Sequence, residues 1–191
     1  ARFQLLSLTS EDTTMRRDFH VHWLLPATTV LVAAPAMAAT YFTVEQAQQK
    51  LFAGQTMTPV AVTLTSEQAK AVHKASGLRV REPVLKVWRA ANGGWFYVDQ
   101  VLGKHEMITY ALALDAGGAV TGLEILDYRE TYGGEVRNPK WRAQFTGKKY
   151  GAPLKLDVDI VNLSGATLSS AHVTEGVRRL LATHQLVVAA K

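Results

Sequence analysis

From Leu85 to Tyr128 apolar and polar residues alternate with a period of two, and on either side of this block the period lengthens to between three and four. Within the block, Lys86–Ala90 and Trp95–Val101 flank Asn92-Gly93-Gly94, while Ile108–Leu114 and Val120–Tyr128 flank Asp115-Ala116-Gly117-Gly118. Strand-like runs joined by short glycine-bearing turns predict two β-hairpins of one antiparallel sheet. Upstream, Val44, Ala47, Leu51 and Phe52 share one face of a helix predicted over Tyr41–Phe52, with Thr43 as its cap and Ala53-Gly54 as its end. Thr58–Thr65 is alternating and β-branched, the mark of a short strand. Thr65 and Gln68 have capping-box spacing and open a second helix that runs to Ala75 and stops at Gly77. Arg79–Leu85, interrupted by Pro83, reads as a loop or an irregular edge strand.

Downstream of the hairpins, Pro139–Phe145 predicts a helical turn with Trp141 and Phe145 four residues apart. Leu154, Leu156, Val158 and Ile160 alternate with Lys155, Asp157 and Asp159, which predicts a final strand over Leu154–Val161. Val173, Val177, Leu180 and Leu181 recur at i, i+4, i+7 and i+8, so a C-terminal helix docks one apolar face on the core, with Ser169 or Ser170 as its N-cap. The fold class is α+β: N-terminal helices, a central antiparallel sheet and a C-terminal helix packed on it.

Composition narrows the chemistry. The 191 residues suit one globular domain plus a short extra segment, and they include no cysteine, so disulfides, thiolate metal sites and a cysteine nucleophile are excluded. The net charge of +5 is dispersed, and aromatics do not interleave with a basic stripe, so no nucleic-acid partner is expected. The six histidines lack His-Glu-x-x-His or i, i+4 spacing, and no metal is expected. No nucleophile elbow, P-loop or dinucleotide fingerprint occurs.

Residues 1–38 read as an upstream extension and signal peptide, and 39–191 as the functional domain. Met15-Arg16-Arg17 is a basic start, Trp23–Ala34 is mostly apolar, and Ala36-Met37-Ala38 is an Ala-x-Ala cleavage pattern. Arg16-Arg17-Asp18-Phe19 is similar to a twin-arginine export signal. The alternative is an uncleaved anchor, for which Trp23–Ala39 is at the short limit of ~17–25 residues and contains two prolines. Either way the domain is expected outside the cytoplasmic membrane, in the periplasm or tethered there.

Leu163 to Ser170 places Gly165 and several hydroxyls directly ahead of the last helix. Free amides and the positive end of the helix dipole favour an anion there, and a glycine admits close approach, so the stretch can seat a phosphate; an ordinary capped helix after a loop has the same appearance. Tyr128 to Glu135 leaves a strand for a Gly-containing loop, where backbone can lie against a ring system. Lys104, Arg129 and Lys148 are candidate cations for an anionic group, although such residues more commonly are solvated surface charges; His105 is a candidate titrating contact, although a lone histidine is more often structural; Tyr132, Trp141 and Tyr150 are candidate stacking partners, although aromatics more commonly serve packing.

Ser164-Gly165-Ala166-Thr167, followed by Ser169-Ser170, resembles the Ser/Thr-Gly-Ala-Thr flavinylation motif of the FMN-binding domain family. That family includes one periplasmic subunit of sodium-translocating NADH:quinone reductase and its counterpart in the related Rnf-type electron-transport complex. Gly103-Lys104-His105 and the stretch from Glu130-Thr131 to Gln144-Phe145-Thr146-Gly147-Lys148 are similar to further family patterns, over roughly residues 85–182. The resemblance implies FMN joined by a phosphoester to Thr167, with Ser164, Gly165, Ala166, Ser169, Ser170, Glu130, Thr131, Gly133, Lys104 and His105 around it. It further implies a separate flavin transferase for maturation and redox partners in the membrane or periplasm. In the family a Glu-Thr-Pro-Gly-Leu-Gly loop contacts the flavin; here Tyr132, Gly134 and Glu135 stand where it has Pro, Leu and Gly, and Val161 stands where an acidic residue is usual, with Asp159 two residues earlier. The expected role is electron relay, as a carrier or as part of a membrane-associated redox system rather than a self-sufficient enzyme. The alternative is a non-redox exported module that holds a phosphate-containing ligand non-covalently.

Overall fold

The computed structural model describes residues 39–190, so the predicted signal segment lies outside the described residues. The elements are β1 (Ala39–Thr40), α1 (Val44–Leu51), β2 (Met57–Pro59), β3 (Val62–Thr63), α2 (Ser66–Ser76), β4 (Val84–Ala90), β5 (Trp95–Leu102), β6 (Met107–Leu114), β7 (Val120–Tyr128), a short α3 (Pro139–Arg142) and α4 (Thr167–Thr183), which continues as a π-turn over His184–Val188. The strands pair antiparallel in the order β1-β7-β6-β5-β4-β2, and β3 pairs farther along β4. The α+β class and the C-terminal helix packed on a central antiparallel sheet are as the periodicity predicts.

The capping boxes form at both N-terminal helices: Thr43 pairs with Gln46, and Thr65 with Gln68. Gly77 ends α2 in the left-handed conformation. The run predicted as one strand over Thr58–Thr65 is two short ones, because the chain steps from the Trp88–Ala90 end of β4 to the Val84–Leu85 end, with the Val60 N–H donating to the Val87 carbonyl between them.

Helices cover both faces of the sheet. One face, with Tyr97, Val101, Ile108, Tyr110, Leu112 and Leu123, packs against Val72 of α2 and Val173, Val177, Leu180 and Leu181 of α4. The other, with Phe96, Val98, Ala111, Ala113 and Leu126, packs against Ala47 and Phe52 from the α1 region. β6 therefore buries both of its faces, with large residues toward α4 and alanines toward α1, which explains its nearly continuous apolar sequence. Each large apolar side chain of α4 buried this way contributes about 1.5–3 kcal/mol. The helix approaches closely because of Gly176: a Cβ there would lie 2.5 Å from the Tyr110 hydroxyl and 2.7 Å from Val101 Cγ1.

Two expectations change. Leu154–Val161 is not a strand but an irregular loop with one isolated bridge, Leu156 to Ile160. Leu154 (φ 42°) and Asp157 (φ 60°) take left-handed conformations, and the Asp159 carboxylate accepts the N–H groups of Leu154 (3.2 Å) and Lys155 (2.8 Å). An aspartate that captures local amides diverts the backbone from a ladder. Only Leu154 and Ile160 of the alternating set are fully buried, and Val158 is 64% exposed. Ser169 and Ser170 do not cap α4 either. The cap residue is Ala166, without a side-chain hydrogen bond, and both serines lie buried inside the first turns.

Candidate functional site

The approach to α4 is held from both sides. The Val161 N–H donates to Gln144 Oε1 (2.8 Å), and its carbonyl accepts Trp141 Nε1–H (2.8 Å). Asn162 Oδ1 then accepts the Leu163 N–H (2.8 Å) and the Ser170 hydroxyl (3.0 Å), which ties the loop to the helix it feeds. The turn closes with the Ala166 N–H on the Leu163 carbonyl (3.0 Å), with Gly165 at φ 81°. Ala166 is buried, whereas Ser164, Gly165, Thr167 and Leu168 are exposed. Thr167 thus presents its hydroxyl at the first position of a 17-residue helix whose leading amides carry no side-chain cap. This arrangement suits a phosphate group attached at or near Thr167.

Tyr128 connects the sheet to this helix start. Burial pushes its phenol above the ordinary range, so it stays protonated and donates to the Tyr132 carbonyl. Its single proton being used there, the 2.9 Å contact with Ser169 Oγ has the serine as donor. Gly133, at φ 91°, sits directly on this pair: a Cβ would fall 2.5 Å from the Tyr128 hydroxyl and 2.7 Å from Ser169 Oγ. The loop then enters a 3-10 turn over Gly134–Arg137, where the Arg137 guanidinium stacks 4.2 Å from the Tyr41 ring.

Glu130 reaches the turn between β5 and β6. Its Oε1 accepts the backbone N–H of His105 (2.5 Å) and Glu106 (3.0 Å). Partial burial opposes its ionisation, but the backbone N–H groups of Glu106 and His105 outweigh this and hold the carboxyl below its ordinary 4.5. Lys104 and His105 are exposed on this turn, as is Thr131 on the loop.

Most of the sequence-derived candidates fall into three groups joined in series: the Gly103–Glu106 turn meets the Tyr128–Gly134 loop through Glu130, and that loop meets the Ser164–Ser170 helix start through Tyr128. Of the candidate cations, Arg129 pairs with Asp127 (2.9 Å) and Lys148 with Asp159 (2.9 Å), while Lys104 makes no ion pair among the described residues. Asp159 is thereby committed to Lys148 and the two amides of its own loop. Among the aromatics, Trp141 is 3% exposed and packs edge-on against Phe145, so it is core; Tyr132 is 82% exposed beside Gly133. Tyr150 borders Arg178, Leu181 and Ala182, about 16–22 Å along α4 from Thr167. A cavity of about 470 Å3 lies toward that end too, bordered by Tyr97, Asp99, Arg179 and Thr183. The links between groups, Tyr128 to Ser169 and Glu130 to His105, leave no signal in the sequence, because nothing local marks partners 41 and 25 residues apart.

Residues 103–182 match the profile of the FMN-binding domain family. This segment is similar to that family's domain. The matched stretch begins at the glycine of the β5–β6 turn and contains all three contact groups. One subunit of the Na(+)-translocating NADH-quinone reductase of Vibrio anguillarum is 32% identical over 140 residues, 58% of this chain and 49% of that protein. The corresponding protein of Pasteurella multocida (strain Pm70) is 32% identical over 124 residues (54% and 48%), and that of Vibrio vulnificus (strain YJ016) 41% over 70 residues (28% of each). The chain spans about half the length, or less, of these curated relatives. The local geometry suits the FMN that the family's description names: an accessible threonine hydroxyl and uncapped amides suit the phosphate, and exposed Thr131 and Tyr132 stand on the adjoining loop.

Proposed function

We propose that the chain is an exported flavoprotein that relays electrons through FMN joined to Thr167 by a phosphoester, as a carrier or as part of a membrane-associated redox system. The observation that carries this reading is the exposed Thr167 hydroxyl at an uncapped helix start, within a segment similar to the FMN-binding domain family and in a Ser-Gly-Ala-Thr motif. The relatives named above are subunits of an NADH-quinone reductase, which supports membrane redox partners. When bound, FMN supplies one- and two-electron chemistry; the protein's part is to hold the phosphate, orient the ring and limit its access to water.

A threonine hydroxyl is a poor nucleophile without a base, and Thr167 Oγ1 has no hydrogen-bond partner among the described residues, so the reading includes a separate flavin transferase. Export rests on the basic, apolar and Ala-x-Ala order of residues 15–38, with cleavage after Ala38 and the domain over 39–191. N-terminal sequencing of the exported protein should begin at Ala39; an intact 15–38 segment in a cytoplasmic fraction would sink this part.

The deciding experiment is mass spectrometry of the protein co-expressed with a transferase. An FMN-sized adduct should map to the peptide containing Thr167 and disappear in Thr167→Ala. Ser169 and Ser170 are buried with their hydroxyls engaged, so Ser164 is the competing exposed hydroxyl of the motif, and Ser164→Ala should retain the adduct. A colourless protein that binds a phosphate-containing ligand reversibly would support the non-redox alternative.

A further inference from the structure

We propose that Glu130 is a positioning residue: seated in the Gly103–Glu106 turn, its carboxylate fixes the loop that holds Thr131 and Tyr132 beside the start of α4. Its consequence for a cofactor rests on the reading of Thr167 above; the anchoring itself does not.

The turn is built as a receptor. The Gly103 N–H closes it by donating to the Glu106 carbonyl (2.7 Å), leaving the N–H groups of His105 and Glu106 to converge on the same oxygen of Glu130. A Cβ on Gly103 would lie 2.5 Å from that oxygen, 3.1 Å from Glu130 Cγ and 3.1 Å from the Glu106 carbonyl, so the carboxylate occupies the space left by the missing side chain. The loop's other attachments are to α4 and its own strand: Tyr128 to Ser169 and to the Tyr132 carbonyl, with Gly133 packed on the same hydroxyls. Four residues, Arg129 to Tyr132, lie between Tyr128 and Gly133. Arg129 is tethered to Asp127 and Glu130 to the turn, which leaves Thr131 and Tyr132 as the exposed residues whose side chains make no hydrogen bond among the described residues. So short a segment pinned on both sides has few conformations, and losing the Glu130 anchor lets it pivot about Tyr128 and Gly133.

Glu130 therefore acts on a ring at Thr167 through the loop, and a variant that keeps an acceptor oxygen should keep the loop in place. Glutamine provides such an oxygen for the same two N–H groups; alanine does not. Amide hydrogen exchange on the full chain, read residue by residue, tests this directly. In the wild type the His105 and Glu106 amides should be protected. In Glu130→Ala they should exchange about tenfold faster or more, together with the Val136 and Asn138 amides, which donate to the Gly133 and Glu135 carbonyls at the end of the loop, while β6 amides such as Ala111 and Leu112 keep their protection and report an intact fold. Glu130→Gln should stay close to the wild type. In flavin-loaded protein, visible circular dichroism of the bound flavin should change in Glu130→Ala and return toward the wild-type signal in Glu130→Gln.

Unchanged exchange at His105 and Glu106 in Glu130→Ala overturns the anchor. Faster exchange there that does not reach the Val136 and Asn138 amides overturns the positioning role, as does a loosened loop with an unchanged flavin signal. Absence of flavin from transferase-matured protein counts against the proposed function instead, and the exchange measurement still decides the anchor.

Discussion

The hydroxyls of Tyr128, the last residue of β7, and Ser169, in the first turn of α4, meet at 2.9 Å across 41 residues of sequence. The contact joins the sheet to the helix start that carries Thr167. With the Tyr128 proton given to the Tyr132 carbonyl, the same phenol also fixes the loop between them.

Replacing Tyr128 by phenylalanine removes an acceptor from a buried serine and a donor from the loop carbonyl. The expected loss is about 1–3 kcal/mol of unfolding free energy, since a buried polar group is left unpaired. Ser169→Ala should cost less, because Tyr128 keeps its bond to Tyr132. Urea denaturation of both variants gives the comparison, and an equal or reversed order contradicts this account.

The fit of Gly103 against Glu130 calls for a double-mutant cycle. Gly103→Ala alone should be destabilising, because the added methyl would fall 2.5 Å from the carboxylate oxygen. In a Glu130→Ala background part of that cost should vanish, although the Glu106 carbonyl still crowds the site. The coupling expected for such contacting residues is about 0.5–3 kcal/mol, measurable by denaturation of the four proteins. Additive effects would show that the two side-chain positions do not share space in solution.

The hairpins were legible because each strand pair carries its own turn chemistry, and because β6 combines a period-two strand with residues apolar enough for burial on both sides. The loop from Leu154 to Val161 mimics a strand in sequence, yet its alternation serves only to tuck Leu154 and Ile160 inward while Asp159 captures backbone amides. Ser169 and Ser170 look like caps, but their hydroxyls answer to Tyr128 and Asn162, partners that no local pattern reveals. The same holds at the site. The Thr167 motif is contiguous and readable, whereas the use of Glu130 as a link to the turn depends on contacts 24 and 25 residues away.

Asp159 organises the loop leading to Asn162 and α4 through one ion pair and two backbone N–H groups. Partial burial disfavours its charge, but the Lys155 N–H and Lys148 prevail and hold the carboxyl below its ordinary 3.8. Its contribution is therefore complete above that value and disappears as pH falls through the lower folded-state value. Asp159→Ala should lower stability by about 1–3 kcal/mol at neutral pH through the lost amide partners. Asp159→Asn, which retains acceptor oxygen but not charge, should lose less and weaken the acid dependence. Denaturation curves at pH 7 and in the acid range would separate these contributions, and identical losses in the two variants would refute the division.

His184 lies at the other end of α4, where the helix passes into the π-turn. It is buried, with Nδ1 2.7 Å from the Tyr97 hydroxyl and its ring edge-on to Trp95 at 5.6 Å. Burial disfavours the imidazolium, nearby Arg89 disfavours it further, and the opposing pull of Asp115 is weaker, so the folded-state pKa lies below the ordinary 6.5. The sign follows from proton uptake: between the two values the unfolded chain binds a proton at this position more readily than the folded one. Stability is then lost as pH falls below about 6.5 and levels off once the folded histidine is protonated as well. His184→Gln keeps an acceptor for Tyr97 but cannot titrate. Its unfolding free energy should be lower than that of the wild type at pH 8, where cavity and packing changes dominate, yet should fall less steeply between pH 7 and the acid range. Parallel pH profiles for the two proteins would mean that His184 titrates alike in both states and that its burial does not hold it neutral.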